Sequence, residues 1–251
     1  MSPLLSNMVL LKRFLRKYPQ AYTQIRKMYY RLLYVGETGV LGTKVHEWIW
    51  RRQRAPTAEE LQAVIEHPHR DFLVNQILKW APFETVLEVG CNAGQNLYLL
   101  AQKEHGASFH GIDINPQFVQ AGQEWLKGKG TENVFLKVGK ADDLSSLGDR
   151  SYDVCFSDGT LMYLGPDKIS QSLRQMARIT RKVIFLNEWS RNAVDPGERS
   201  WWYDFHWVHD YGALFREFLP QSKIRETKIP AGQWLPGGGW EKYGTLIEVE
   251  L

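Results

Sequence analysis

One stretch near the middle of this 251-residue chain constrains its fold more than any other. Residues 83–96 read F-E-T-V-L-E-V-G-C-N-A-G-Q-N, a short aliphatic run followed by a turn that contains Gly90 and Gly94. Glycine reaches positive φ without strain and lets a ligand approach the backbone closely. A helical pattern begins at Asn96, and the first N–H groups of a helix are free to hold polar atoms. The stretch therefore predicts a strand, a tight turn and a helix that bind a ligand, with the acid Glu88 beside them.

From residue 85 onward, short apolar segments alternate with helical ones. The predicted strands cover 85–89, 107–112, 133–138, 152–157 and 182–187, and the predicted helices cover 94–104, 116–127 and 166–179. Apolar strands separated by helices indicate a parallel sheet covered on both faces. Ligands of such sheets bind beyond the carboxyl ends of the strands. The positions to inspect are therefore 88–96, 113, 139–143, 158–163 and 188–189.

Beyond residue 189 the pattern changes. An aromatic stretch at 190–210 is followed by a predicted helix at 211–219 and by strand-like segments at 223–229 and 243–250.

Four motifs follow one another along the alternating part of the chain. They are E-x-G-x-N-x-G at 88–94, G-I-D at 111–113, G-K-A-D-D-L at 139–144 and Y-D-V-C-F-S-D at 152–158. Their order and spacing resemble those of the class I S-adenosylmethionine-dependent methyltransferases, whose first motif reads D/E-x-G-x-G-x-G. A dinucleotide-binding strand would end in G-x-G-x-x-G instead. Asn92 replaces the middle glycine, and asparagine tolerates positive φ better than most residues, so the turn can be retained.

The resemblance implies a fold and a cofactor. The fold is α/β: a Rossmann-like, doubly wound, mostly parallel seven-stranded sheet with an antiparallel last strand, plus an N-terminal helical extension. The cofactor is S-adenosyl-L-methionine, which leaves as S-adenosyl-L-homocysteine. In the family, the acid at the position of Asp113 accepts hydrogen bonds from both ribose hydroxyls, as a carboxylate can. Arg70 could bind the cofactor's carboxylate through its guanidinium fork. The expected cofactor-binding residues are Arg70, Glu88, Gly90, Cys91, Asn92, Gly94, Asn96, Asp113, Ile114, Ala141, Asp142 and Asp158.

The resemblance also implies a binding site for the molecule that accepts the methyl group. The protein mainly aligns the acceptor with the methyl group, and an oxygen or amine acceptor also needs a proton removed. The candidates for this step are His206, His209, Asp158 and Glu188. Each histidine could instead be structural, and Glu188 could be a buried hydrogen-bonding group. The aromatic stretch at 201–211 offers flat faces for sugars, rings or cations, or it forms a hydrophobic plug. The expected substrate-binding residues are Tyr163, Glu188, Trp202 and Trp207.

The first 60 residues differ in charge from the rest of the chain. They carry a net charge of +7, whereas the remaining 191 residues carry −4, so a nucleic-acid-binding domain is not indicated. Residues 8–34 repeat apolar side chains at three- and four-residue spacing, with Lys and Arg between them. This segment could contact an anionic membrane or pack on the domain as a cap. The predicted domains are a basic helical extension (1–66) and a methyltransferase domain (67–251), which contains a cofactor half (83–190), an aromatic segment (190–210) and final elements (211–251).

Several features bear on location and metal content. No apolar run approaches the roughly 20 residues that span a bilayer, and the N-terminus lacks the charge order of a secretory signal. Cys91 and Cys155 fall in or beside predicted buried strands, which disfavours a disulfide and fits a reducing compartment. The pair His67 and His69 alone is a weak metal signal, so no metal is expected. We predict a cytoplasmic protein that could lie peripherally at the inner membrane face.

The motifs together predict methyl transfer by in-line attack to a small-molecule, glycan or lipid-linked acceptor, with oxygen as the expected acceptor atom. Transfer to nitrogen or to a carboxyl group is the first alternative. A nicotinamide-dependent oxidoreductase would also place an acid near position 113. A non-catalytic module that binds the cofactor or a membrane is the remaining alternative. The acceptor and the oligomeric state are left open.

Overall fold

A computed structural model describes residues 40–191, 200–203, 206–234 and 239–251. The segment at 8–34, expected to contact a membrane or cap the domain, lies outside the described residues. The elements are α1 (Val40–Trp50), α2 (Ala58–Ile65), α3 (Pro68–Leu78), β1 (Thr85–Val89), α4 (Gln95–Ala101), β2 (Ser108–Asp113), α5 (Pro116–Gly128), β3 (Val134–Val138), β4 (Tyr152–Asp158), a 3₁₀ turn (Leu161–Tyr163), α6 (Pro166–Ile179), β5 (Thr180–Trp189), β6 (Ser200–Tyr203), β7 (His206–His209), α7 (Tyr211–Arg216), β8 (Lys223–Lys228), α8 (Gly239–Tyr243) and β9 (Gly244–Glu250).

Seven strands form the main sheet in the order β3-β2-β1-β4-β5-β9-β8. Strands β1 to β5 pair in parallel, whereas β9 is antiparallel to both of its neighbours, β5 and β8. The predicted fold class is confirmed, and the antiparallel last strand lies inside the sheet. The strand order reverses between β1 and β4, which is where open α/β sheets bind ligands.

The central strands are buried on both faces, so their apolar runs are continuous. Val86 and Val154 belong to the core cluster that includes side chains of α2 to α5. Leu87 and Cys155 point the other way, into the cluster that includes side chains of α6 and α7. Successive strand residues face opposite sides of a sheet, so both sides here must be apolar. Cys91 and Cys155 are free thiols, as expected.

The predicted helix at 166–179 coincides with α6. Thr57 and Glu60 form a capping box at the start of α2. The sequence does not predict the β6–β7 hairpin, which pairs apart from the main sheet. Aromatic residues occupy nearly every position there and mask the two-residue alternation of a strand. Helix α8 was also not predicted, because it begins in a glycine-rich segment.

Helix α1 is anchored beside the carboxyl ends of the strands by contacts at both of its ends. Near its start, Thr43 Oγ1 accepts a hydrogen bond from the backbone N–H of Gly165 at 2.7 Å. At its end, Asn115 Nδ2 donates to the carbonyl oxygen of Trp50 at 2.8 Å. These contacts join α1 to the loops that follow β2 and β4.

Candidate active site

A cavity of about 230 Å³ lies at the carboxyl ends of β1, β2 and β4, where the strand order reverses. Eleven of the twelve expected cofactor-binding residues line it: Arg70, Glu88, Gly90, Cys91, Asn92, Asn96, Asp113, Ile114, Ala141, Asp142 and Asp158. Gly94, the twelfth, lies in the turn as the N-cap of α4. The fold therefore gathers residues from four separate sequence motifs around one space.

The turn after β1 depends on left-handed backbone conformations. Gly90, Asn92 and Gly94 have φ values of 77°, 54° and 83°. A Cβ atom on Gly90 would lie 2.1 Å from Thr160 Oγ1, so a larger residue would push away the loop that follows β4. The backbone N–H of Asn92 donates to Asp113 Oδ2 at 2.8 Å, which ties the turn to the end of β2.

Asp113 presents a carboxylate to the cavity with room for further donors. Its Oδ1 accepts from the backbone N–H of Asn115 at 2.8 Å, and its Oδ2 accepts from Asn92. Each carboxylate oxygen can accept more than one hydrogen bond, so two neighbouring hydroxyl groups of a ligand can still bind. Burial raises the pKa of Asp113 to about 6, although the backbone donors oppose the rise.

Asn96 connects three ionisable residues around one amide group. Its Nδ2 donates to Glu88 Oε1 at 2.7 Å and to Asp158 Oδ2 at 3.0 Å. Its Oδ1 accepts from Arg70 Nη1 at 2.6 Å. This arrangement fixes the orientation of the amide and holds one guanidinium beside two carboxyl groups.

The residues present fit the amino-acid end of S-adenosylmethionine. Glu88 Oε2 is buried and lacks a hydrogen-bond partner among the described residues, and burial raises the pKa of Glu88 well above its usual range. A buried unpaired carboxyl oxygen is costly unless a donor reaches it. An ammonium group of the cofactor would supply that donor, and Arg70 would face the cofactor's carboxylate.

Asp158 is held as an ion by surrounding donors. Its Oδ1 accepts from Asn187 Nδ2 at 2.7 Å, and its Oδ2 lies 3.0 Å from His69 Nε2. Burial opposes ionisation, but His69, Arg70 and Asn96 prevail and lower the pKa of Asp158 to about 2. A carboxylate with this pKa is a weak base, so its position suits charge stabilisation better than proton removal.

The imidazole beside Asp158 belongs to an aromatic stack. His69 Nδ1 lies 2.5 Å from His67 Nδ1. Trp234 stacks on the His69 ring with centroids 4.1 Å apart, and Trp240 stacks on Trp234 at the same distance. The stack covers His69, which explains why the His69–Asp158 pair is buried.

Ion pairs between side chains join the loop after β3 to α1. Lys140 Nζ lies 2.8 Å from Glu47 Oε2, and Lys168 Nζ lies 2.6 Å from both Glu47 Oε1 and Asp142 Oδ2. Burial by itself raises the pKa of Glu47, but the hydrogen bonds from both lysines outweigh burial and lower this pKa. Sequence reasoning missed Glu47 as a site residue, since a lone acid on a helix carries no motif.

The other end of the cavity has an aromatic wall. Tyr163 lines the cavity, as do His46 and Trp50 from α1. The rings of His46 and Trp50 each meet the ring of Tyr163 edge-on, with centroids 5.1 Å apart. His206 Nε2 lies 3.3 Å from the Tyr163 hydroxyl oxygen, so His206 reaches the wall through Tyr163. The signal in the sequence that could locate this wall is the aromatic and basic run at 44–54, K-V-H-E-W-I-W-R-R-Q-R.

Glu188 lies outside the cavity lining and organises the loop behind it. The carboxylate accepts four hydrogen bonds: from Ser157 Oγ, Thr160 N and Leu161 N at 2.9 Å each, and from Met162 N at 3.2 Å. Burial raises the pKa of Glu188 to about 7, and these donors oppose the rise. Glu188 thereby orients the segment that carries Thr160 and Tyr163 into the cavity wall.

His209 and Trp207 are buried in β7, and neither lines the cavity. His209 Nε2 lies 2.9 Å from the carbonyl oxygen of Leu164, and its Nδ1 lies 2.6 Å from Ser200 Oγ. Burial lowers the pKa of His209 to about 4, so the ring is neutral at pH 7, donates from Nε2 and accepts at Nδ1. The side chain of Trp202 lies outside the described part of the chain.

Within the described residues, no group of three or more His, Cys, Asp or Glu side chains could hold a metal ion. No helix in the same part of the chain is long and apolar enough to cross a membrane.

The fold and the cavity define an α/β domain with a ligand-sized cavity at the carboxyl ends of its parallel strands. A family model described as a methyltransferase domain matches residues 86–182. Together, the match, the motifs and the sheet identify a class I S-adenosylmethionine-dependent methyltransferase domain in this chain, as predicted. The match also displaces the nicotinamide-dependent alternative.

Individual relatives are more distant. An arsenite methyltransferase from Halobacterium salinarum is 34% identical over 90 residues, which cover 35% of this chain and 22% of that protein. A methyltransferase structure from Aquifex aeolicus aligns with a TM-score of 0.53 and 17% identity over 78% of this chain and 98% of that one. The magnesium protoporphyrin IX methyltransferase of Synechocystis aligns with a TM-score of 0.54 and 17% identity over 86% and 93%. The structural similarity supports the fold.

Proposed function

We propose that this protein transfers the methyl group of S-adenosylmethionine to a hydroxyl group of a small-molecule or glycan-type acceptor. The observation that carries the choice of oxygen is the Tyr163–His206 pair, in which an imidazole nitrogen lies 3.3 Å from a hydroxyl group in the cavity wall. A hydroxyl acceptor must lose a proton, and this pair can receive it. Transfer to nitrogen or to a carboxyl group remains the alternative.

The cofactor's residues divide into two groups in this proposal. Arg70 and Glu88 hold the amino-acid end, while Asp113, Ala141 and Asp142 hold the adenosine end. When bound, the cofactor supplies an electrophilic methyl group on a sulfonium. Asp158, ionised in the wall between Glu88 and Thr160, favours positive charge nearby and so contributes to binding the cofactor.

The acceptor side is aromatic and uses few charges. We infer that the acceptor lies against His46, Trp50 and Tyr163, whose rings favour a flat or sugar-like group. The Tyr163 hydroxyl accepts a hydrogen bond from the acceptor hydroxyl and donates its own to His206 Nε2. As the acceptor loses its proton, the proton on Tyr163 moves to His206. We infer a structural role for His209, whose two ring nitrogens are engaged elsewhere.

The test is methyl transfer from labelled S-adenosylmethionine to a panel of phenols, sugars, amines and carboxylic acids. We expect products from hydroxyl acceptors, and Tyr163→Phe should lower kcat by about 100-fold. His206→Asn should act similarly, whereas His105→Gln, on the exposed surface, is the matched control. If only amines or only carboxylic acids gave products, the protein would transfer the methyl group to nitrogen or to a carboxyl group instead. Cofactor binding without transfer to any of them would favour a non-catalytic module.

We also propose, from charge alone, that residues 8–34 bring the protein to the inner membrane face. The segment contains seven Lys and Arg residues: Lys12, Arg13, Arg16, Lys17, Arg26, Lys27 and Arg31. Each basic residue near an anionic surface contributes about 1 kcal/mol. Flotation with phosphatidylserine vesicles should therefore recover the full chain, and replacing Lys12, Arg13, Arg16 and Lys17 by Glu should abolish recovery. If neither protein floats, the membrane proposal is wrong.

A further inference from the structure

Three ion pairs link α1, the loop after β3 and α6 on the adenosine side of the cavity. Glu47, in α1, contacts Lys140 in the loop after β3 and Lys168 in α6. Lys168 also contacts Asp142, which the proposed function places at the adenosine end of the cofactor. The series Lys140–Glu47–Lys168–Asp142 therefore starts and ends on the loop after β3. It passes through Glu47 in α1 and Lys168 in α6.

The burial of these side chains makes their ion pairs more effective than ordinary surface pairs. Glu47, Lys168 and Asp142 expose 19%, 21% and 15% of their side chains. Exposed ion pairs contribute little to stability because water screens them, whereas hydrogen bonds to charged groups contribute more than hydrogen bonds between neutral groups. Glu47 also bonds two lysines at once, so its loss would release both of them.

Further contacts give α1 a fixed position from which Glu47 acts. Thr43 bonds the backbone of Gly165 and the carboxylate of Asp167, one turn before Glu47. Asn115 holds the last carbonyl group of the helix, at Trp50. A neighbouring face of the helix is solvated: Lys44 is exposed, and Trp48 is 51% exposed. The helix therefore presents Glu47 to the cavity side in one register.

We propose that Glu47 is a positioning residue for cofactor binding, which acts through Lys168 and Lys140 to hold the loop at Ala141 and Asp142 in its binding conformation. The inference rests on the proposed cofactor site. It makes the N-terminal extension a functional part of the methyltransferase domain, although the sequence places the domain boundary at residue 66. Glu47 lines the cavity itself, so a direct contact with the cofactor is the competing explanation.

Lys168 separates the two explanations, because it does not belong to the cavity lining and can act only through its partners. If Glu47 positions the loop, Glu47→Gln and Lys168→Met should each weaken binding, and the double variant should be no worse than either single one. If Glu47 touches the cofactor directly, Lys168→Met should have no effect, or the two losses should multiply.

The experiment is titration calorimetry of the full chain with S-adenosylhomocysteine. We expect Kd to rise about 5-fold for Glu47→Gln, Lys168→Met and the double variant alike. Lys44→Met, on the exposed face of the same helix, should stay within about twofold of the parent. The melting temperature without ligand serves as the fold control, and Glu47→Asp is the milder variant if Glu47→Gln unfolds.

Three results would overturn the proposal, and they are distinguishable. Equal affinities in the parent and all variants would remove the role of Glu47 while leaving the proposed function intact. A 25-fold loss in the double variant, as the product of independent 5-fold losses, would replace positioning by direct contact. Failure of the parent chain itself to bind S-adenosylhomocysteine would refute the proposed function, and this inference with it.

Discussion

At the scale of single residues, the site depends on a few positions whose conformation or charge is unusual. Asn92 has a φ of 54° where the family motif has glycine. Its backbone N–H bonds Asp113, and no described hydrogen bond uses its side chain. The residue type therefore serves the turn, because asparagine reaches the left-handed region more easily than other residues that carry a Cβ atom.

We predict that Asn92→Gly leaves the affinity for S-adenosylhomocysteine within about twofold of the parent. Asn92→Ala should lower the free energy of unfolding by about 1 kcal/mol, because alanine at positive φ is strained. Calorimetry and urea unfolding measure the two effects. A large loss of affinity in Asn92→Gly would show that the asparagine side chain contacts the ligand.

Asp113 predicts a pH dependence of cofactor binding. Its pKa of about 6 lies above the ordinary value because of burial, so a growing fraction is protonated as pH falls below 6. Only the ionised carboxylate accepts hydrogen bonds from both ribose hydroxyls with both oxygens. The affinity for S-adenosylhomocysteine should be constant above pH 7 and fall toward about tenfold per pH unit below 6. Asp113→Asn should bind S-adenosylhomocysteine more weakly, and its affinity should not fall in the same way below pH 6. If the affinity of the variant varied with pH as that of the parent does, the role of Asp113 would be contradicted.

At the scale of elements, the loop after β4 is held from two sides. Glu188 in β5 receives the N–H groups of Thr160, Leu161 and Met162. His209 in β7 lies 2.9 Å from the carbonyl oxygen of Leu164 at the other end of the segment. Glu188 and His209 were expected at the reaction centre. Both instead lie behind the cavity wall and fix the position of Tyr163.

Glu188→Gln should loosen this loop without changing its shape greatly. The amide would bring two hydrogens toward a site that contains only donors, so the free energy of unfolding should fall by about 1–3 kcal/mol. Hydrogen exchange at residues 159–163 should accelerate. Glu250→Gln, at a partly exposed carboxylate on β9, is the control. Unchanged exchange and stability in Glu188→Gln would remove the positioning role.

His209 predicts an acid sensitivity of the fold. Its folded pKa of about 4 lies below the ordinary 6.5, so the unfolded chain binds the proton more strongly between these values. The stabilisation by neutral His209 is therefore complete above pH 6.5 and is lost as pH falls toward 4, by up to about 3 kcal/mol. His209→Gln should flatten this part of the urea-unfolding profile, whereas His105→Gln should not. If His209→Gln instead abolished methyl transfer without altering the profile, His209 would be catalytic.

At the scale of the whole molecule, the sequence predicts the sheet better than it predicts the site. The strands and helices from 85 to 189 follow from apolar runs and their spacing, and the turn follows from Gly90 and Gly94. The contribution of α1 could not be predicted, since Glu47 meets Lys140 and Lys168 across 93 and 121 residues of sequence. Likewise, no local pattern shows that Glu188 turns away from the cavity.

The cofactor site and the acceptor wall are built from different parts of the chain. The motifs and the family match bear on residues 86–182, which hold most of the cofactor site. The acceptor wall is built by His46 and Trp50 before that range and by Tyr163 within it, while His206 lies beyond it. The acceptor therefore depends on parts of the chain that the family motifs do not cover.

The central claim is that the cavity binds S-adenosylmethionine through Glu88 and Asp113. The most direct measurement is calorimetric titration of the full chain with S-adenosylhomocysteine and, separately, with NAD. We expect saturable one-to-one binding of S-adenosylhomocysteine, a loss of affinity of at least about tenfold in Asp113→Ala, and no saturable binding of NAD. Saturable binding of NAD with none of S-adenosylhomocysteine would contradict the proposed cofactor site.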